Sequence, residues 1–211
     1  MKINEIFFSI QGESSYAGLP CAFVRLTGCN LRCGYCDTKH AYEEGREQTA
    51  EQVIDAVSRF PTKLVEVTGG EPLLQEETLS LVTAFAERGY KVLIETNGTV
   101  SLRGIDARAT VVMDIKCPGS GMSGRMLWDN VDLLRPHDEV KFVLTDRDDY
   151  DWASGIIEER KLVGKHIVHL APAYSVLDPR LLASWILEDG LDARLQLQLH
   201  KYVWPDVERG V

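Results

Sequence analysis

The chain has 211 residues, of which 45% are hydrophobic and 26% charged, and a formal net charge of −9. This composition excludes a disordered polymer, and the length suits one domain spanning residues 1–211. The negative charge argues against direct, non-specific grip on nucleic acid, and no apolar run reaches the ~18 residues of a membrane span.

The N-terminal stretch MKINEIFFSIQGE carries Glu and Gln among its apolar residues and no small-residue cleavage site. A soluble, cytoplasmic chain without a signal peptide is predicted. From about residue 20, short β-branched runs alternate with helical patterns. Strand-length runs fall at Ala22–Leu26, Leu64–Val67, Lys91–Ile94, Thr110–Ile115, Glu139–Leu144, His166–Leu170 and Arg194–Leu199. Thr49 is placed to cap a helix over Ala50–Phe60, with Gln52 completing a capping box and Val53, Ile54 and Val57 forming its apolar stripe. Glu76–Arg88 repeats that period through Leu79, Val82 and Phe85 until Gly89 stops it. Trp152–Lys161 and Pro179–Glu188 are further helical segments.

Strand–helix units with near-continuous apolar strands predict an α/β fold whose sheet is mostly parallel and covered by helices. Six or seven strands fall short of the eight of a complete barrel, leaving an open doubly wound sheet or a shortened, incomplete (β/α) barrel. Polar residues cluster where strands end: Thr68-Gly69-Gly70-Glu71, Glu95-Thr96-Asn97-Gly98, Lys116, Pro172 and His200. Ligands in parallel α/β folds bind at that rim.

Five cysteines, with no export signal, are poor material for a disulfide framework. Cys29, Cys33 and Cys36 lie together in the loop after the run at Ala22–Leu26, whereas Cys21 and Cys117 read as packed thiols. Zinc would require a fourth ligand, and only His40 is near. Three thiolates with one open position suit a 4Fe–4S cluster that keeps one iron free.

The spacing CxxxCxxC, with Tyr35 before the third cysteine, resembles the signature of radical S-adenosylmethionine enzymes. Gly69-Gly70-Glu71-Pro72 resembles the motif by which that superfamily holds the methionine amino group. Ile10-Gln11-Gly12-Glu13, Arg25, Cys36-Asp37-Thr38, Glu95-Thr-Asn-Gly and His200-Lys201-Tyr202 extend the resemblance to the 7-carboxy-7-deazaguanine synthase family of queuosine biosynthesis.

This resemblance implies a trimmed barrel, a homodimer and a Mg²⁺-assisted lyase reaction. In that reaction 6-carboxy-5,6,7,8-tetrahydropterin becomes 7-carboxy-7-deazaguanine with loss of ammonia, and a flavodoxin or ferredoxin supplies electrons. It further implies that Cys29, Cys33 and Cys36 hold the cluster and that Tyr35, Cys36, Asp37, Gly70 and Glu71 meet S-adenosylmethionine. Asp114, Ile115 and Lys116 join them, although many relatives read Ser-Pro-Lys there. Thr38 would ligate Mg²⁺. Ile10, Gln11, Gly12, Glu13, Arg25, Thr68 and His200 would contact substrate, with Arg25 pairing its carboxylate and His200 reaching in from the last strand. Ala171–Tyr174 would meet adenine. The tail after Pro205 departs from relatives that end near that proline. The alternative reading is a glycyl-radical-enzyme activase, which shares the cysteine spacing and the Asp-Ile-Lys run.

Overall fold

The computed structural model describes residues 1–211. Nine strands form one sheet: β1 (Lys2–Ile10), β2 (Pro20–Leu26), β3 (Arg46–Glu47), β4 (Leu64–Gly69), β5 (Lys91–Thr96), β6 (Thr110–Lys116), β7 (Glu139–Leu144), β8 (Ile167–Pro172) and β9 (Arg194–Leu195). Their order is β3-β1-β2-β4-β5-β6-β7-β8-β9, so the sheet does not close on itself. All pairings from β2 to β9 are parallel, whereas β1 runs antiparallel to β2 and β3. The seven anticipated strands are thus the parallel ones, and the incomplete barrel prevails over the doubly wound sheet.

The helices are α1 (Ala50–Ser58), α2 (Glu77–Glu87), α3 (Arg147–Arg160), α4 (Pro179–Asp189) and α5 (Leu199–Val203). The Thr49/Gln52 capping box on α1 is present: the Thr49 hydroxyl accepts from Gln52 N–H and the Gln52 amide accepts from Thr49 N–H at 2.9 Å. No helix is long and apolar enough to cross a membrane.

Three expectations need correction. β1 lies ahead of the first anticipated strand. A register shift between Ile3 and Glu5 puts the alternation out of phase, which hides the strand from a period-two reading. α3 starts five residues earlier than Trp152 because the Asp146 carboxylate accepts from Asp149 N–H and the first turn carries further acids. The last strand is only Arg194–Leu195. Beyond it, Leu199 N–H donates to Gly12 O at 3.0 Å, and the chain turns into α5.

Strand alternation separates two apolar regions. The main core lies between the sheet and its helices and includes Val24, Val65, Val67, Leu81, Phe85, Ile94, Met113, Ile115 and Phe142. On the opposite, concave face, Phe7, Cys21, Phe23, Leu64 and Leu93 form a small floor against Tyr16. Polar residues at the next positions on β2, β4, β5, β6 and β7 line the space above that floor.

Phe85 is fully buried in the main core and meets the Tyr90 ring edge-on at 5.3 Å. Phe85→Ala is expected to lower stability by about 3–5 kcal/mol, with the denaturation midpoint in urea as the measurement.

Candidate active site

One cavity opens at the carboxyl ends of the parallel strands. It is lined by every residue singled out above as a ligand contact in the loops 10–13 and 29–38, together with Arg25, Thr68, Gly70, Asp114, Lys116 and His200. Glu71 and Ile115 do not line it, nor do Ala171 and Pro172. Glu71 is fully buried, and its carboxylate accepts from Leu73 N–H at 3.0 Å, Thr96 Oγ1 at 2.8 Å and Asn97 N–H at 2.6 Å. Burial lifts its pKa to about 7, against the pull of those donors. The Glu71 carboxylate therefore braces the turn after β5 and does not line the cavity. Ile115 faces the helices because its neighbours Asp114 and Lys116 face the cavity.

The cysteine loop occupies one end. Cys29, Cys33 and Cys36 are free thiols that line the cavity. Burial raises the pKa of Cys29 and of Cys33, so the protein surroundings alone do not favour thiolates. Lys116 opposes that rise at both, which suits a site whose thiolates are completed by a cationic metal body. No group of three or more His, Cys, Asp or Glu side chains, these cysteines included, is arranged to hold a single metal ion. His40 does not face them; its Nε2 lies 3.6 Å from Glu5 Oε1, outside the cavity. Zinc with His40 as fourth ligand is therefore not what the loop builds.

Gly69 and Gly70 end β4 against this loop. A Cβ at Gly70 would strike Gly28 O and Cys29 Cβ, and one at Gly69, at φ +155°, would strike the Leu26 backbone. Two glycines are thus required for strand and loop to approach. Two cavity groups are buried with no protein partner, Tyr35 Oη and Asp114 Oδ1. Orphaned polar atoms beside a ring of thiols are what a ligand-completed site leaves in the protein. The donor set therefore fits a cluster and a polar cofactor.

The other end is a charged wall. Arg25 Nε donates to Glu5 Oε1 at 2.8 Å, with the side chain 16% exposed and its guanidinium carbon 5.8 Å from the Phe7 ring centre. β1 thus orients the arginine from the edge of the sheet. Lys141, on β7, donates to Glu13 Oε2 at 2.6 Å and to Glu95, and lies 3.8 Å from Asp114 Oδ2. Gln198 Nε2 donates to Glu13 Oε1 at 2.8 Å, and Thr68 Oγ1 donates to Glu95 Oε2 at 3.1 Å. Burial opposes ionisation of both Lys141 and Glu95, but their mutual attraction outweighs it, raising the lysine and lowering the carboxyl. Lys116 Nζ donates to Asp114 Oδ2 at 2.7 Å; burial opposes the lysine's charge, but the attraction of Asp114 outweighs it and raises the Lys116 pKa.

α5 closes the mouth. His200 sits on this short helix rather than on a strand, and its ring leaves no space for a Cβ at Gly12. Burial lowers its pKa, so the ring is neutral near pH 7. Lys201 Nζ pairs with Asp37 Oδ2 at 2.9 Å. Burial would lift the Asp37 carboxyl, yet this partner brings it to about 2. Thr38 Oγ1 also donates to Asp37, at 3.0 Å. The tail returns as well: Arg209 pairs with Glu44 at 2.9 Å, and Val211 lines the cavity. Of Ala171–Tyr174, only Ala173 and Tyr174 line it.

The sequence reading missed Glu66, Lys141 and Gln198. The available signal was a charged residue in the middle of an apolar parallel strand, as in LVEVTG and EVKFVL. A charge in such a strand needs a buried partner.

The radical SAM superfamily profile matches residues 23–110. A 7-carboxy-7-deazaguanine synthase of Koribacter versatilis (strain Ellin345) is 44% identical over all of both chains. The chain belongs to the 7-carboxy-7-deazaguanine synthase family. The family member of Chlorobaculum tepidum is 45% identical over 100% of this chain and 97% of its own. The crystal structure of QueE from Escherichia coli superposes with a TM-score of 0.78, at 24% identity and covering 93% of both chains. As a member of this family the chain is a radical SAM enzyme that uses a 4Fe–4S cluster and S-adenosylmethionine, and the activase alternative is not favoured.

Lys141 is the test of the charged wall. Lys141→Met leaves Glu13 and Glu95 without their cation, and is expected to cost about 3–5 kcal/mol near neutral pH. Glu95 folds with a lowered pKa, so its stabilising share exists above the unfolded carboxylate range and is lost as pH falls through the folded value. Urea denaturation of wild type and variant should therefore show the gap closing below about pH 4.

Proposed function

We propose that this chain converts 6-carboxy-5,6,7,8-tetrahydropterin to 7-carboxy-7-deazaguanine with release of ammonia, and that residues 1–211 act as one domain. The observation that carries the reading is one cavity with three thiols at one end and Arg25, Glu13 and Glu95 at the other. A small carboxylated ring system with N–H donors is the ligand such a wall selects.

When bound, the cluster and S-adenosylmethionine supply a 5′-deoxyadenosyl radical that removes one hydrogen atom from substrate. Cys29, Cys33 and Cys36 would hold the cluster. Tyr35, Asp37, Gly70, Asp114 and Lys116 would surround the cofactor, with Tyr35 Oη and Asp114 Oδ1 finding there the partners they lack in the protein. Arg25 keeps its Nε on Glu5, which leaves the terminal guanidinium nitrogens for the substrate carboxylate. Glu13 is held by Lys141 and Gln198 as a charged acceptor for ring N–H groups. Ile10, Gln11 and Gly12 carry that loop across the floor, while Thr68 and the neutral His200 ring contact substrate from the rim and from α5. Thr38 would offer a hydroxyl to Mg²⁺. A neutral oxygen is a weak ligand by itself, so the substrate carboxylate would be needed to supply negative charge at the ion.

Phe7 and Phe23, stacked at 4.8 Å, form the apolar floor beneath this wall, which would keep water from that side of the substrate. A fixed ring and an excluded solvent keep a radical next to one C–H bond. The enzyme would work as a cytoplasmic homodimer reduced by a flavodoxin or ferredoxin.

Anaerobically reconstituted protein, given carboxypterin, S-adenosylmethionine, Mg²⁺ and a reductant, should yield the deazapurine and ammonia by mass spectrometry. Cys33→Ala is expected to abolish turnover and cleavage of S-adenosylmethionine. Arg25→Ala should raise KM about ten- to hundredfold, the loss of a charged hydrogen-bonded pair, while the cofactor is still cleaved. An unchanged KM in Arg25→Ala would show that the substrate carboxylate binds elsewhere.

A further inference from the structure

Glu66 is the one cavity carboxyl that neither a cation nor the assigned ligand contacts explain. It lies midway along β4, between Leu64 of the floor and Thr68 of the rim, with Phe23 opposite it on β2. The groups around it are Gln11 and Glu13 from the β1–β2 loop, Cys21 on β2, Glu95 on β5 and Lys141 on β7. Lys141 is already bonded to Glu13 and Glu95, and no ammonium or guanidinium pairs with Glu66.

Its only protein partner is the Gln11 side chain, whose Nε2 donates to Glu66 Oε2. That orientation of the amide is settled by its other end. Gln11 Oε1 accepts from Glu13 N–H at 3.0 Å, so the carbonyl cannot turn towards Glu66. Oε2 is therefore an acceptor in use, and Oε1 faces the cavity with no hydrogen bond from the protein.

We propose that Glu66 is a substrate-binding, specificity-determining residue that holds its proton on Oε1 and donates it to an acceptor atom of the bound ring system. A ring nitrogen or a ring carbonyl oxygen is the chemistry it recognises. Glu13, an ionised acceptor, lies in the same wall, so the wall offers a donor next to acceptors. It thereby distinguishes a ring edge carrying both from one carrying only donors. This rests on the pterin reading above and specifies how the ring, as distinct from its carboxylate, is selected.

The electrostatics agree with the geometry. Burial, with Glu95 and Glu13 adding to it, lifts the Glu66 carboxyl to about 8, against the pull of Gln11 and Lys141. Near neutral pH it is a neutral acid. As pH rises past that value the donor is lost, and a second charge develops beside Glu95.

The test uses the reconstituted holoenzyme and carboxypterin, comparing wild type, Glu66→Gln and Glu66→Leu across about pH 6.5 to 9. The profile of kcat/KM reports groups on the free enzyme. Wild type should lose about tenfold per pH unit above the Glu66 value, whereas Glu66→Gln, a permanent neutral donor, should lack that limb. Substrate and cofactor titrations are common to both proteins. Glu66→Leu should also lack the limb, but with KM about tenfold above that of Glu66→Gln. A limb that survives in Glu66→Gln, or a leucine variant with the glutamine variant's KM, overturns the proposal.

An infrared difference spectrum, wild type minus Glu66→Gln, separates this from failure of the pterin reading. A neutral carboxyl band should be present at about pH 7, shift on adding carboxypterin, and titrate away on the alkaline side. If wild type fails to convert carboxypterin, the reading of the reaction falls. If the band is missing at about pH 7, the Glu66 proposal falls by itself.

Discussion

Five carboxyl groups, Glu13, Asp37, Glu66, Glu95 and Asp114, line one cavity; Lys201 is taken up by Asp37, which leaves only Lys116 and Lys141 to answer the other four. An ion removed from water without a partner costs several kcal/mol, enough to undo the margin of a domain this size. Lys141 resolves most of that problem from a single atom, since its Nζ meets carboxylates contributed by a loop, β5 and β6. The wall is therefore a cooperative object: each acid is held where the lysine can reach it. The strands that carry them are set at the right separation by the parallel ladder.

This constraint explains the division of the sheet into two faces. Towards the helices the strands are apolar without interruption, and that face supplies the bulk of the hydrophobic stabilisation. Towards the concave side the apolar layer is only one residue deep, and the layer above it is ionic. A closed barrel would fill its interior with side chains, as eight-stranded ones do. The open sheet leaves that volume to ligands. The β1–β2 loop and α5 cover it from below and above, joined by Leu199 N–H on Gly12 O and by Gln198 on Glu13.

The two ends of the cavity are built on different principles. At the thiol end the protein leaves groups incomplete, with Tyr35 Oη and Asp114 Oδ1 unpaired and glycines where any side chain would intrude. At the opposite end Glu13, Glu95 and Lys141 hold one another in place while the Arg25 terminal nitrogens and Glu66 Oε1 are left for the ligand, which therefore meets a preorganised surface. A cofactor with many polar groups suits the first, and one small substrate oriented towards a single reactive carbon suits the second.

Local chemistry determined the parallel strands, the capping box of α1, the cysteine loop and the glycines at the end of β4. Each depends on residues within a few positions of one another, and the motif spacing alone pointed to the family. The tertiary structure decided the rest. β1 is hidden by a register shift, α5 exists because its first amide is captured by a loop nearly the whole chain away, and the Glu71 carboxylate is spent on bracing the turn after β5. Glu66 and Lys141 stand in otherwise apolar strands as unexplained charges until β4, β5 and β7 are placed side by side. Ionisation and pairing are properties of neighbours in space, and no local pattern along the chain specifies which neighbours those are.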